Sequence, residues 1–309
     1  MKLIILHSDD LGITSHVTEC ILDAWRAGYL HGFSIIANGD AIKQIPDALS
    51  SASELQARIA VHFNLTEGHS SAPAKQIPLL VDADGQLRHT FGSLFLIVIF
   101  STWNKRRELF RQINIECIAQ IVAVRSLCAG RAITAVDGHN HIHMIPGVFT
   151  SVARATRAEG IPGIRISAEP FFVDKPWKDW LQSFWWVNLI KHLLLNFFAL
   201  SAFRVAKQLG LHSPEAIIGV LYSGNMSKTR ALCGIDAAAG TSEIEVLFHI
   251  GRASSNEATR WKNSTYATFH RSKLRDEERS EMYLLAEYMR SKESSLTGNA
   301  VSMSSSIMK

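Results

Sequence analysis

The chain has 309 residues, 47% of them hydrophobic and 19% charged, with a net charge of +4. A charged share below the roughly 25% of ordinary soluble domains, with so small a net charge, excludes a disordered chain and argues against a nucleic-acid partner. The four cysteines, Cys20, Cys117, Cys128 and Cys233, show no CxxC and no cysteine–histidine spacing; this excludes a disulfide-stapled domain and a cysteine-ligated zinc module, and suits reduced thiols in the cytoplasm.

The first element is a strand over Leu3–Ser8, whose apolar run of four is followed at once by Asp9 and Asp10, unlike a signal peptide. A helical period runs from His16 to a glycine stop at Gly28. A second strand over Phe33–Asn38 precedes a helical stretch from Ala41 to Leu55, and a third strand covers Ile59–Leu65. Helical periodicity from Lys105 to Ala129 leads into a strand over Ile133–His139, and another helix runs from Pro146 to Gly160. Strand-type runs recur at Gly163–Ser167, Ile217–Tyr222 and Ile244–Ile250. This alternation predicts parallel βαβ units and an α/β fold, a deformed barrel of about seven parallel strands. One domain is expected over residues 1–290, with apolar insertions near 94–111 and 177–209; the serine-rich stretch 291–309 reads as a mobile tail.

In such a barrel chemistry sits where strands end, and the ionisable residues fall there. Asp9 and Asp10 follow the first strand, Asn38 closes the second, and His62 and Asn64 lie at the end of the third. Asp137, His139, His141 and His143 close the fourth, Arg165 lies in the fifth and His249 near the end of the last. Adjacent carboxylates on an extended strand point to opposite sides, so one can bind a metal while the other handles a proton. His62 and Asn64 share a face, which lets Asn64 donate to a substrate oxygen. His139, His141 and His143 would share a face if extended, and imidazole is the commonest metal ligand. Two histidines and one carboxylate leave coordination positions open, as hydrolytic rather than structural sites do. A spare carboxylate can then take a proton from water, and a separate acid, His249, can protonate a leaving amine.

Five segments carry a family resemblance: His-Ser-Asp-Asp-Leu-Gly (7–12), Ala-Asn-Gly (37–39), Val-His-Phe-Asn-Leu (61–65), Asp-Gly-His-Asn-His-Ile-His-Met (137–144) and Leu-Phe-His-Ile-Gly (247–251). The set resembles the YdjC-like carbohydrate deacetylases, which include the chitooligosaccharide deacetylases. The branch associated with hopanoid biosynthesis is closer still, through Leu-Leu-Val-Asp-Ala-Asp-Gly (79–85), Arg-Ile-Ser-Ala-Glu-Pro (165–170) and Tyr-Ser-Gly-Asn-Met-Ser (222–227). The resemblance implies a polysaccharide-deacetylase-like barrel and one divalent metal on Asp10, His62 and His139. It implies Asp9 as general base and His249 as general acid, acting on an N-acetylated amino sugar. Magnesium follows from the resemblance, while zinc suits the ligand types. Asn38, Asn64, His141, His143 and Arg165 remain as substrate contacts. Ile250 stands where the family has proline, and Ser8 and Leu11 occupy variable positions of the first motif; neither removes a ligand.

Two apolar stretches, Leu94–Phe100 and Phe184–Leu200, stand outside these motifs. In the second, Asn188, Lys191, His192 and Asn196 recur at helical steps, giving a narrow polar face and a wide apolar one. Lys191 and His192 interrupt it too early for a spanning helix. With Lys105, Arg106, Arg107 and Arg111 close by, the stretches suit a lipid-linked substrate and peripheral contact with the inner face of a membrane. A buried helix with a buried strand, or a homodimer interface, is the other expectation. For the site, a phosphoesterase or a non-catalytic carbohydrate- or lipid-binding relative stands as the alternative.

Overall fold

The computed structural model describes residues 2–174, 176–181, 183–258 and 263–306, the side chains of 176, 179, 183, 258 and 293–306 excepted. Of the mobile tail expected over 291–309, residues 307–309 lie outside the described residues, and only the backbone of 293–306 is described.

Seven strands form one parallel sheet: β1 (Leu3–Leu11), β2 (Gly32–Ile35), β3 (Arg58–Phe63), β4 (Ile133–Gly138), β5 (Gly163–Ile164), β6 (Ala216–Ile218) and β7 (Glu243–Phe248). Their order is β5-β4-β3-β2-β1-β7-β6. The two outer strands approach each other through the chain beside them: Ile164 N donates to His212 O at 2.8 Å, and Ile217 N to Ala168 O at 2.8 Å. The sheet is thus a curled, incompletely laddered barrel. β1 runs three residues past its expected end at Ser8, while the other strands end before their apolar runs do because the last residues of those runs leave the ladder to build loops.

The helices are α1 (Ser15–Arg26), α2 (Ile45–Ser50), α3 (Phe91–Phe100), α4 (Trp103–Leu127), α5 (Val148–Ala158), α6 (Pro176–Asp179), α7 (Ser183–Leu209), α8 (Lys228–Ala237), α9 (Ser255–Ala258), α10 (Ser264–Arg271) and α11 (Leu274–Ser306). Thr14 caps α1 by accepting from Val17 N, and α1 ends before Gly28, which has φ +74°. Strands covered on both faces read as continuous apolar runs, and Ile59, Val61 and Phe63 are fully buried. Trp25 of α1 packs edge-on against Phe33 of β2 at 5.6 Å and donates from Nε1 to Gln56 O at 2.9 Å.

The stretch Leu94–Phe100 lies in α3, opened by a reciprocal Thr90–Ser93 capping box; it is not a strand. Only Leu94 and Val98 of α3 are buried.

Candidate active site

At the end of β1 the ladder slips: Ser8 pairs with Phe33 and Leu11 with Ile35, so Asp9 and Asp10 together oppose Ser34. Asp10 takes a left-handed backbone, φ +71°. This β-bulge cancels the strand alternation, so the two carboxylates do not point to opposite sides; both line one pocket. Gly39 makes the turn possible, because a Cβ there would collide with the Gly12 carbonyl just beyond the bulge.

Asp10 gathers two histidines. Its Oδ1 lies 3.0 Å from His139 Nδ1 and 3.4 Å from His62 Nε2, and the two ring nitrogens are 3.2 Å apart. His62 stands directly opposite Asp137 across the β3–β4 ladder. Asp137 is ionised: burial raises its pKa, but Arg165 and His62 outweigh burial and hold it below the usual carboxylate range. His62 Nδ1–H therefore donates to Asp137 Oδ1 at 2.6 Å, and Nε2 is turned towards Asp10 and His139. Burial opposes the charge of this imidazole, but Asp9, Asp137 and Asp10 hold its pKa well above the usual value in the free chain. Ligand bonds of about 2.1 Å put neighbouring donor atoms about 3.0–3.4 Å apart in octahedral or tetrahedral geometry, so this triangle fits a divalent cation. Asp10, His62 and His139 are all buried, with their three donor atoms close enough together to hold one ion. Asp10 is driven well below the carboxylate range: burial opposes its charge, and His139 and His62 overcome it.

Asp9 is held differently. Arg165 Nη1 reaches its Oδ1 at 2.9 Å and Oδ2 at 3.0 Å, while Nη2 meets Asp137 at 2.9 Å and Nε meets Glu245 at 2.6 Å. Ser34 Oγ is within reach of Asp9 Oδ1 at 3.2 Å and of Asp137. Its single proton goes to a carboxylate, so His7 Nε2–H donates to Ser34 Oγ at 2.7 Å. His7, Asp9 and Asp137 also cluster closely enough to suit an ion, but the Arg165 guanidinium already supplies the cation there. Burial opposes ionisation of Asp9; Arg165, His62 and His7 outweigh it and keep the group anionic.

The pocket, about 570 Å³, brings Asp9, Asp10, His62, His139, His141 and His249 onto one surface. A larger cleft of about 890 Å³ lies at the opposite ends of the strands, among Leu3, Ile5, Trp25 and Met289. His249 Nδ1 is buried with no hydrogen-bond partner among the described residues, while its backbone N donates to Glu278 Oε2 of α11 at 2.9 Å. Burial lowers the His249 pKa to about 4, against the pull of Asp10 and Asp9, so the free protein carries it neutral.

Other expected contacts lie elsewhere. His139, His141 and His143 do not share a face: Asn140 and His141 are left-handed, φ +54° and +55°, and the kink turns each ring to a different partner. His141 lines the pocket and bonds Ser167 Oγ at 2.8 Å, whereas His143 is fully buried and donates to Arg165 O at 2.8 Å. Gly138 is obligatory beneath it, since a Cβ would strike the His143 ring. Asn38 and Asn64 are not among the pocket's lining residues: Asn38 Nδ2 donates to Glu67 O and His69 O, and Asn64 Nδ2 to Asn38 Oδ1 and Glu67 O. They build the loop after β3. Arg165 has no donor turned to the pocket; it fixes carboxylates instead.

Sequence reasoning gave no role to four residues. Asp137 stood inside the strongest motif, but only its register with His62 reveals what it does. Lys191 of α7 lines the pocket, and burial lowers its pKa to about 8 against the attraction of Glu169 and Asp9. Tyr266 and His270 of α10 also line it, with His270 Nε2 3.7 Å from Asp10 Oδ2. Their spacing of four puts both on one helix face, a signal the sequence does contain.

The profile of a family described as YdjC-like protein matches residues 3–296. A carbohydrate deacetylase of Mus musculus is 30% identical over 171 residues, 54% of this chain and 51% of the relative. A chitooligosaccharide deacetylase of Yersinia pestis (strain Pestoides F) is 28% identical over 165 residues, 52% of this chain and 58% of the relative. The chain thus spans about half the length of the curated relatives it matches. A crystal structure from Enterococcus faecalis, described as a candidate cellobiose-phosphate cleavage protein, superposes with a TM-score of 0.59 at 17% identity, covering 91% of this chain and 95% of that one. That likeness establishes the fold.

Proposed function

The chain belongs to the YdjC-like family, and from that premise we propose that it is a carbohydrate N-deacetylase, hydrolysing the acetamide of an acetylated amino sugar with one divalent metal ion on Asp10, His62 and His139. The observation that carries this reading is the convergence of Asp10 Oδ1, His62 Nε2 and His139 Nδ1 beside Asp9 in one pocket. When bound, such a cation supplies Lewis acidity, polarising the acyl oxygen and making water more acidic.

The chain's own residues do the rest. Asp9, kept anionic and oriented by Arg165, accepts a proton from the attacking water. Lys191, cationic below about pH 8, offers positive charge to the oxygen that becomes negative as the carbonyl carbon turns tetrahedral. His249 is the proton donor to the departing sugar nitrogen. Its neutrality in the free protein means that the proton must arrive during the reaction, as negative charge grows beside it. The C–N bond breaks, leaving acetate and a free amine. His141, on the pocket wall, contacts the sugar.

Phe91, Val187, Ile190 and Leu194 form an apolar wall of the same pocket, which supports an apolar aglycone and hence a lipid-linked amino sugar. The likeness to the hopanoid-associated branch names one class of such aglycone. The four free cysteines suit a cytoplasmic location. Magnesium is the ion the resemblance favours; two imidazoles and a carboxylate also suit zinc. A phosphoesterase is disfavoured because no arginine is among the pocket's lining residues, and Arg165, which holds Asp9, is wholly engaged by Asp9, Asp137 and Glu245.

Asp9→Asn tests the assignment. The variant should bind one metal ion per chain as the wild type does while losing at least about a thousandfold in turnover. Loss of the metal instead would contradict the role given to Asp9, and full turnover would remove the general base from the account.

A further inference from the structure

Helix α7 is turned inside out. Its polar stripe faces the protein: Asn188 donates to Ser223 O at 3.3 Å, Lys191 enters the pocket, His192 meets Glu169 at 3.0 Å, and Asn196 donates to Glu169 O at 3.1 Å. Val187, Ile190, Leu193, Phe197 and Leu200 face outward, with Phe197 70% exposed. A helix at a water interface shows the reverse pattern. Helix α3 lies beside it, joined by a Phe95–Phe198 ring contact at 5.5 Å, and also presents apolar side chains outward: Leu96, Ile99 and Phe100, the last 80% exposed. Of the 18 large hydrophobic side chains exposed among the described residues, all but Leu3, Val122 and Leu284 lie on α3, the start of α4 or the segment 171–203. Scattered exposure is ordinary, but contiguity of this kind marks an interaction face.

The neighbouring chemistry selects the partner. At the head of α4, directly after α3, a cleft of about 500 Å³ is lined by Trp103, Arg106, Arg107, Arg111 and Arg154 with no acidic side chain among its lining residues. Glu108 neutralises only Arg111, at 2.7 Å. Arg107 stacks over the exposed Trp103 ring at 5.6 Å. A broad apolar face edged by tryptophan and unneutralised arginine matches the layers of an anionic bilayer: acyl chains, interface and phosphate. A spanning role for α7 conflicts with its other side, since Leu195, Phe198, Ala199, Ala202 and Ala206 are buried in the protein core although the helix is long and apolar enough by composition.

We propose that the outward face of α3 and α7, with the arginine cleft at the head of α4, docks on an anionic membrane surface and holds the mouth of the pocket at the lipid interface. The docking itself is independent of the deacetylase reading, which enters only through what the pocket would meet there. Val187, Ile190 and Leu194 belong both to α7 and to the pocket wall, so a lipid-linked sugar would pass from the bilayer to the site along one apolar surface.

The test is co-sedimentation of the full chain with vesicles of phosphatidylcholine alone or with about 30% phosphatidylglycerol. In parallel, acetate release from soluble diacetylchitobiose is measured with the holoenzyme. The expected result is binding to the anionic vesicles that weakens with salt. The Arg107→Gln, Arg154→Gln double variant should lose on the order of tenfold or more in partitioning, about fivefold per charge. A Phe100→Ser, Phe197→Ser, Leu200→Ser variant should lose binding altogether. None of these residues lines the pocket, so activity on the soluble substrate should persist, which also reports that the variants fold. No binding of the wild type to either vesicle overturns the proposal, as does binding indifferent to these substitutions. A stable dimer broken by the triple substitution assigns the face to a second copy and overturns it as well. Absence of acetate release with intact vesicle binding counts against the deacetylase reading and leaves the docking standing.

Discussion

His62 and Asp137 face each other across the β3–β4 pair, and the Nδ1–H of the histidine donates to the carboxylate at 2.6 Å. One parallel register thereby fixes the tautomer, the ring orientation and the basicity of a nitrogen that points at Asp10 and His139. Asp137→Asn should weaken metal binding by about 10–100-fold, read by calorimetric titration of the metal-stripped chain, with the fold intact by circular dichroism. Unchanged affinity would mean that the pair serves only packing.

Arg165 is the single guanidinium among Asp9, Asp137 and Glu245, all in its immediate contact. Removing one member of such a buried group leaves the others uncompensated, at a cost of about 3–5 kcal/mol. Arg165→Met should unfold at correspondingly lower denaturant. Arg165→Lys should recover part of the stability but little activity, because an ammonium cannot bridge three carboxylates with a planar fork. Denaturant titration with a parallel rate measurement checks both, and a fully active lysine variant would contradict the orienting role.

Lys191 titrates near 8 because burial opposes its charge. If the charged amine assists, activity falls as pH rises through that value. Lys191→Met should lower kcat at least about tenfold and remove the alkaline limb near pH 8, with a smaller change in KM. A variant that keeps the same alkaline limb would assign that limb to another group.

Acid should destabilise the fold through buried neutral histidines. His143 is lowered to about 4, first by burial, and His249 and His270 are lowered by burial to about 4 and about 3. Between the ordinary histidine value near 6.5 and about 4, the unfolded chain binds protons that the native chain does not. The contribution of these three histidines to stability is therefore full above about pH 6.5 and falls as pH drops through that window, by up to about 1.4 kcal/mol per pH unit for each. His143→Gln, which can still donate to the Arg165 carbonyl, should make the fall of Tm with acid shallower. An identical slope in variant and wild type would show that His143 is not a contributor.

The parallel sheet was legible because buried strands announce themselves as apolar runs ending in ionisable residues, as Ile59–Phe63 does before Asn64. The identities of Asp9, Asp10, His62, His139 and His249 were legible for the same reason, each standing where a strand ends. Their geometry was not. The bulge depends on the left-handed backbone of Asp10, and the divergence of His139, His141 and His143 on that of Asn140 and His141, neither of which leaves a periodic trace. Arg165 and Asn38 sit near the ends of strands, yet the partners they hold, Asp9, Asp137 and Glu245 for Arg165 and Glu67 and His69 for Asn38, lie tens of residues away, so the sequence does not show these bonds. The amphipathic pattern of α7 was plain in the sequence; which face looks outward depends on Glu169 and Ser223, far along the chain.

The central claim is a metal-dependent deacetylation at Asp10, His62 and His139, and acetate release tests it most directly. Purified chain should release acetate and a free amine in equal amounts from diacetylchitobiose or an N-acetylglucosaminyl lipid. A chelator should abolish the release, one equivalent of divalent metal should restore it, and Asp10→Ala should prevent that restoration. Acetate release that persists in the metal-free Asp10→Ala chain would contradict the account.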